Sequence, residues 1–261
     1  MNNPVSPPGA RKLSDVSAQR RAELNAGATT KNLMEQLSID FALLMQTTLP
    51  QASTATVTVT AMRAAANNGI IKRMNVAGEL LYAQLGAKSF ELLHDHPSDT
   101  VRAWSAYVLA KLPHLNLSQR LEHVRLLADD SHFAVREYAW LALRPLMVVE
   151  LEHAIALLEP WTDEPSPNLR RFASESLRPR GVWCKHINAL KQRPEMGLPL
   201  LTPLRADEST YVQDSVANWL NDASKTQADW VRLLCQDWLS STSKPATERI
   251  CRRALRSIGG K

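Results

Sequence analysis

The stretch His132-Phe133-Ala134-Val135-Arg136-Glu137-Tyr138-Ala139-Trp140-Leu141-Ala142-Leu143-Arg144-Pro145 decides how this chain folds. Counted from Val135, offsets 0, 4 and 8 are Val135, Ala139 and Leu143. On a helix these fall within about 80° of one another and form a narrow apolar stripe. The register returns at Leu169 (Leu169, Ala173, Leu177) and at Val212 (Val212, Val216, Leu220). A weaker copy starts at Val101, where Ser105 stands between Val101 and Leu109. Each copy follows a helix-starting cluster: His96-Pro97-Ser98, Asp130-Ser131, Pro165-Ser166 and Glu208-Ser209. The anchors Val101, Val135, Leu169 and Val212 are spaced 34, 34 and 43 residues apart. The segments before them carry stripes of their own, such as Leu121, Val124 and Leu127, or Ile155, Leu157 and Leu158. A self-similar period of this length with helical spacing predicts an all-α solenoid of antiparallel helix pairs stacked side by side. Such folds present a concave surface, which suits an extended ligand.

Outside the repeats the text is less regular. Residues 1–18 are rich in Pro, Ser and Asn and are expected to form a loosely attached tail, with one solenoid domain over 19–261. Apolar positions from Leu33 to Met45 suit a helix, broken at Pro50. The Thr/Val alternation from Thr54 to Thr60 is strand-like but short. It runs into Ala61-Met62-Arg63-Ala64-Ala65-Ala66, a strong helix former, so it reads as the opening of a helix or a loop. A further helix is predicted over Glu79 to Leu93.

Composition narrows the class of function. The chain has 261 residues, 44% of them hydrophobic, which is enough to bury a substantial core. No apolar run approaches the roughly 18 residues of a membrane span, and Met1 to Pro8 lack the pattern of a secretory signal. The three cysteines form no C-x-x-C, which fits a reducing cytoplasm. With 31 Lys and Arg against 26 Asp and Glu, the net charge of +5 leans towards polyanions. His94, Asp95 and His96 lack a third ligand at metal-binding spacing, and no phosphate-cradling glycine loop occurs. Neither a metal nor another cofactor is expected.

Three carboxylates stand out when the repeats are aligned. Glu137 lies at offset 2, Glu175 at offset 6 and Asp222 at offset 10. Steps of four residues keep all three on the face opposite the core stripe, each rotated by about 40° from the last. The competing reading is a solvated polar face. Against it, Asp222 sits in an otherwise uncharged setting, and Glu175 precedes Arg178-Pro179-Arg180-Gly181-Val182-Trp183. A carboxylate, an indole and guanidinium groups together suit a cationic ring beside a phosphate backbone.

The strings HFAVREYAWLALRP (His132–Pro145), SPNLRRFASESLRPRGVW (Ser166–Trp183) and YVQDSVANWLNDASK (Tyr211–Lys225) resemble the bacterial AlkC/AlkD DNA alkylation-repair proteins, AlkC more closely. The resemblance runs from about Pro97 to Ile258 and implies HEAT-like helical repeats with a basic concave groove around duplex DNA. It further implies a monofunctional glycosylase without metal or cofactor, releasing cationic alkylated bases of the 3-methyladenine class. On these strings Glu137, Glu175 and Asp222 take the acidic active-site positions, with Trp183 and Trp140 against the lesion. Backbone phosphates would be met by Arg136, Arg170, Arg171, Arg178, Arg180 and Lys185. A monomer is expected, cytoplasmic and associated with the nucleoid. Lys244, Arg249, Arg252, Arg253, Arg256 and Lys261 add basic charge near the end of the chain.

The sequence departs from the family in its first 90 residues. With its last residues at Gly259-Gly260-Lys261, soon after the last repeat, it is expected to lack the C-terminal immunoglobulin-like domain of some AlkC members. Two rivals stand beside the enzyme: a non-catalytic repeat protein that binds DNA, and a scaffold that binds a protein partner. Carboxylates in the binding face favour the enzyme, because a pure phosphate binder gains nothing from them.

Overall fold

The computed structural model of the chain describes residues 12–53 and 56–258. Among the described residues every regular element is helical and there is no strand. Periodicity alone predicts one domain over 19–261, whereas the contacts divide the chain into two compact units. The first takes the chain up to His114 together with His132–Ala139. The second takes Leu115–Ser131 and Trp140–Lys261.

The first unit holds α1 (Ala18–Asn25), α2 (Leu33–Ser38), α3 (Phe41–Thr48), α4 (Pro50–Ser53), α5 (Thr56–Ala64), α6 (Ile70–Leu85), α7 (Ser89–Leu93) and α8 (Asp99–Leu109). Most of the expected tail, residues 1–11, lies outside the described residues. Leu13–Asp15 form a 3-10 turn, and Val16 is buried. The helix expected from Leu33 to Met45 is two helices, because Asp40 starts a new one: its Oδ1 accepts from the N–H groups of Ala42 at 2.9 Å and Leu43 at 3.1 Å. The segment Glu79 to Leu93 is likewise interrupted, at Gly86, whose φ of +67° lies in the left-handed region that ends helices. The Thr/Val stretch is helical from Thr56. Its buried residues Thr58, Val59, Met62 and Ala65 follow helical spacing, so α5 packs as a helix despite its β-branched residues.

The packing of α6 on α8 depends on Gly78. A Cβ there would lie 2.5 Å from the Tyr107 Cβ and 2.9 Å from the Tyr107 carbonyl carbon. Gly78→Ala is therefore expected to destabilise the protein by about 1–3 kcal/mol, in spite of alanine's better helix propensity. Thermal denaturation checks this, and an unchanged Tm would mean that the two helices separate at no cost.

The second unit holds α9 (Leu117–Ala128), the later turns of α10 (Phe133–Val149), α11 (Leu151–Leu158), α12 (Pro167–Glu175), α13 (Asn188–Gln192), α14 (Leu198–Leu201), α15 (Thr210–Ser224), α16 (Ala228–Ser241) and α17 (Pro245–Ala254). The stripe residues of all four copies are buried, Ser105 included. α17 is a looser fifth copy: Thr247 and Cys251 are buried at offsets 0 and 4, Ile250 and Ala254 are buried beside them, and Leu255 at offset 8 is half-buried. Thr247 takes the anchor position there and donates its hydroxyl to the Arg205 carbonyl at 2.9 Å.

One local device recurs at the start of three repeat helices. The side chain just after the anchor turns back to the carbonyls six and five residues before it. Arg102 donates to the carbonyls of His96 (2.8 Å) and Pro97 (3.1 Å). Arg170 donates to Glu164 and Pro165, both at 2.8 Å. Gln213 donates to Asp207 at 2.8 Å and Glu208 at 3.5 Å. Carbonyls in the turn that precedes a helix need a donor, and this side chain supplies it.

Candidate active site

Two of the three ladder carboxylates meet in the second unit. Ser166 starts α12: its hydroxyl accepts from the Asn168 N–H, and Pro167 stands at the first helical position. Leu169, Phe172 and Ala173 bury the inner face of α12, and the helix ends on Glu175. α15 packs beside α12 and carries Asp222 near its C-terminal end. Both carboxylates are buried, each residue being 3% exposed.

Arg178 joins them. Its Nη1 donates to Glu175 Oε1 at 2.7 Å, while Nε and Nη2 donate to Asp222 Oδ2 at 3.0 and 2.8 Å. The second oxygen of Glu175 accepts from the Ser215 hydroxyl at 2.6 Å, which in turn accepts from the Ser174 hydroxyl at 2.8 Å. Arg171 lies 3.8 Å from that same oxygen, and its guanidinium sits 4.4 Å over the Tyr211 ring. Asp222 Oδ1 accepts from Lys225 Nζ at 3.1 Å. Buried carboxylates are costly unless paired and hydrogen-bonded, and every oxygen of this pair has a donor.

The charges settle accordingly. Burial pushes the Glu175 carboxyl up, but Arg171, Arg178 and the Ser215 hydroxyl outweigh it and hold it below the usual carboxylate range. Burial pulls Arg178 down, and its two carboxylates more than reverse that, so it stays charged. A carboxylate with a depressed folded-state pKa stabilises the fold above its unfolded value and loses that contribution as pH falls through the folded value. The stability gap between wild type and Glu175→Gln should therefore narrow as pH falls below about 5. Urea midpoints measured down from pH 7 test this, and a constant gap would mean that folding leaves the Glu175 pKa unshifted.

The segment after α12 is a loop held from beneath by Arg144. This arginine is 2% exposed and donates to the carbonyls of Ser176 (2.5 Å), Arg178 (2.6 Å) and Lys185 (3.3 Å). The indole N–H of Trp219 adds a bond to the Leu177 carbonyl at 3.1 Å. Inside the loop, Trp183 adopts φ +62°, a left-handed conformation that costs a non-glycine residue about 1–3 kcal/mol. Its indole is 48% exposed. Gly181 is needed just before it, since a Cβ there would collide with the Cys184 sulfur. A fixed backbone thus presents an aromatic face to solvent in the same loop as the arginine that holds both carboxylates.

No family model matches the chain. It is 38% identical over 137 residues to the uncharacterized protein YhaZ of Bacillus subtilis (strain 168), a match covering 52% of this chain and 37% of that protein. Among solved structures it is similar to the alkylpurine DNA glycosylase AlkC of Pseudomonas fluorescens, bound there to DNA containing an abasic site analog. The TM-score is 0.68 at 23% identity, over 96% of this chain and 65% of that one. The chain has the fold of AlkC. AlkD2 from Streptococcus mutans (TM-score 0.62, 19% identity) and smu.31 from Streptococcus mutans UA159 (0.60, 20%) are each similar over 78% of this chain, and cover 99% and 98% of their own lengths. The chain spans about two fifths of YhaZ and just under two thirds of AlkC.

On this AlkC-like scaffold the expected residues divide into groups. Glu175, Asp222, Arg171, Arg178 and Arg180 come together, Arg180 through a bond from Nε to the Asp222 carbonyl at 3.2 Å. Trp183 and Lys185 are exposed on the adjoining loop. Glu137 and Arg136 belong to the first unit, half-buried at the start of α10. Three assignments need correction, and the first is Arg178, whose Nε, Nη1 and Nη2 are committed to Asp222 and Glu175 and not to a phosphate. Trp140 is 2% exposed and is part of the core, although its offset of five lies outside the stripe; it offers no face to a lesion. Arg170 is committed to Asp207 (2.7 and 3.1 Å) as well as to two carbonyls, so it fastens the start of α12 and is not available to a phosphate.

Other charged residues also have structural partners. On α17, Arg249 and Arg253 reach Asp214 at 2.6 and 3.2 Å, and in the turn after it Arg256 reaches Asn218 at 2.9 Å, while Lys244 and Arg252 stay exposed. Lys261 lies outside the described residues. His96 accepts the Ser98 N–H at 3.0 Å and His94 stacks on Phe90, so the pair serves the turn before α8. Sequence reasoning missed Arg144, Ser215 and Lys225. Lys225 was visible as an i, i+3 partner of Asp222, and Ser215 as the polar residue three places after an anchor. Arg144 occupies the same offset as Arg178, but nothing in the text marks one arginine as buried.

Proposed function

We propose that this protein is a monofunctional DNA glycosylase that hydrolyses the N-glycosidic bond of cationic alkylated bases of the 3-methyladenine class in duplex DNA. The observation that carries the reading is the buried Glu175–Asp222 pair, held by Arg178 on the loop that also exposes Trp183. The similarity in fold to AlkC and AlkD2 supports it.

The chemistry follows from charge. An N3-alkylated adenine already carries a positive charge, so its bond to C1′ breaks without a general acid. The electron pair of that bond passes to the base and neutralises it. The sugar is left as an oxocarbenium-like cation, which Asp222 stabilises electrostatically and to which it directs a water. The water oxygen bonds to C1′, and its proton passes to the carboxylate or to solvent. Glu175 binds the cationic base, and Trp183 stacks on it. Arg171, Arg180, Lys185, Lys225 and Arg252 would meet phosphates in this reading, so binding should weaken steeply with salt. The reading includes a monomer acting on DNA in the cytoplasm, without a cofactor.

A second reading, a DNA-binding protein without catalysis, draws on the engagement of both carboxylates by cations of the chain itself. Base release from methylated duplex DNA distinguishes the two. Free 3-methyladenine released in proportion to enzyme is the expected result. Tight, salt-sensitive binding without release would favour the second reading, and no DNA affinity would leave a scaffold for a protein partner.

A further inference from the structure

The Arg178 guanidinium occupies the one position from which both buried carboxylates are reached at once. Its backbone is not free to move, since Arg144 holds its carbonyl at 2.6 Å and its own N–H bonds to the Glu175 carbonyl at 3.3 Å. Its side chain is the adjustable part: it lies at the edge of the cluster, 14% exposed, while the carboxylates beneath it are 4% exposed. Any ligand that is to touch Asp222 Oδ2 must take the place of this guanidinium. What it displaces is a flat, delocalised monocation, and the replacement must supply the same charge. A neutral ring would leave two buried carboxylates to share Arg171 and Lys225, which is costly.

We propose that Arg178 is a side-chain gate. In the DNA-free protein it neutralises Glu175 and Asp222, and a planar cation in DNA displaces it outward. The proposal rests on the function proposed above and adds to it a source of specificity. Undamaged bases stack as well as alkylated ones but bring no charge, so they leave the gate shut. Arg178 acts here as a positioning residue, through the carboxylates that it holds.

The test compares two duplexes of one sequence. One carries a neutral tetrahydrofuran abasic analogue and the other a pyrrolidine analogue, which is protonated at neutral pH. Dissociation constants are measured for wild type, Arg178→Ala and Arg178→Lys. Removing the competing guanidinium should raise the preference for the pyrrolidine duplex by about fivefold or more over wild type, with the lysine variant in between. A parallel loss of affinity for both duplexes, with the ratio unchanged, would mean that Arg178 holds a phosphate or only supports the fold, and would overturn the proposal. Should the alanine variant fail to fold, the lysine variant carries the comparison.

A DNA-free arm separates this proposal from the function it rests on. Wild-type protein that binds neither duplex, or both equally, argues against the glycosylase reading. The gate is then judged by ethylguanidinium, which should raise the Tm of Arg178→Ala more than that of wild type by filling the vacated cation position. Equal shifts in the two proteins would overturn the gate.

Discussion

Asp222→Asn should release 3-methyladenine from methylated duplex DNA at least about a hundredfold more slowly than wild type, the scale expected when one preorganised electrostatic contact is removed. Affinity for the same DNA should be kept or raised, because asparagine removes a negative charge from the site proposed to receive DNA. A stability change accompanies the kinetic one. Asp222 accepts from Arg178 through two nitrogens and from Lys225, and an amide keeps the shape but not the charge that holds them. A lower Tm is therefore expected beside the lost rate, and the kinetics should be measured well below it. Unchanged base release by a folded Asp222→Asn protein would remove Asp222 from the chemistry.

Arg144→Met should be the most destabilising of the substitutions considered. The side chain is fully buried, and its guanidinium is the donor for three carbonyls of one loop. Methionine fills much of the space but leaves those carbonyls without a donor, at a cost of about 1–3 kcal/mol for each that stays buried. A total of about 3 kcal/mol or more is expected, since charged donors are worth more than neutral ones. Urea unfolding measures the loss. Hydrogen exchange should localise the loosening to the loop that carries Trp183, and base release should fall even where the protein remains folded. A loss of stability spread evenly over the second unit would show instead that Arg144 is only core filling.

Much of the fold could be read from the text because its signal repeats. Val135, Ala139 and Leu143 recur in register at Leu169 and Val212, and each copy supports the others. The fifth copy escaped because Thr247 and Cys251 stand where apolar residues were sought, although both are buried. The breaks at Asp40 and Gly86 were missed because apolar spacing continues through them. Their local chemistry, a side-chain cap and a left-handed backbone, overrides the periodicity.

The site was legible where it depends on helix geometry and obscure where it depends on burial. Glu175 and Asp222 were found from offsets that place both on one face. Trp140 and Arg144 show the limit from two sides: an indole expected at a ligand is core, and an arginine to which no role was given is buried. Single residues carry no mark of burial, and the identity of an aromatic or a cation is compatible with either place. Arg170 illustrates the same limit, since a cation next to a helix start serves carbonyls as readily as phosphates.

The hydrogen bonds from Arg102, Arg170 and Gln213 to the carbonyls just before their own helices have a consequence for how such a chain can grow. Each of these side-chain-to-carbonyl bonds spans only seven consecutive residues, although Arg170 also reaches Asp207 and Gln213 also accepts from Arg249. Residues added upstream leave it whole, and the longer interval before Val212 already tolerates this, with Gln213 still bonded to Asp207. New loops can therefore be accepted between repeats without re-registering the helices on either side. The connections are the places where a chain of this kind can vary its reach towards a ligand while its helices stay unchanged.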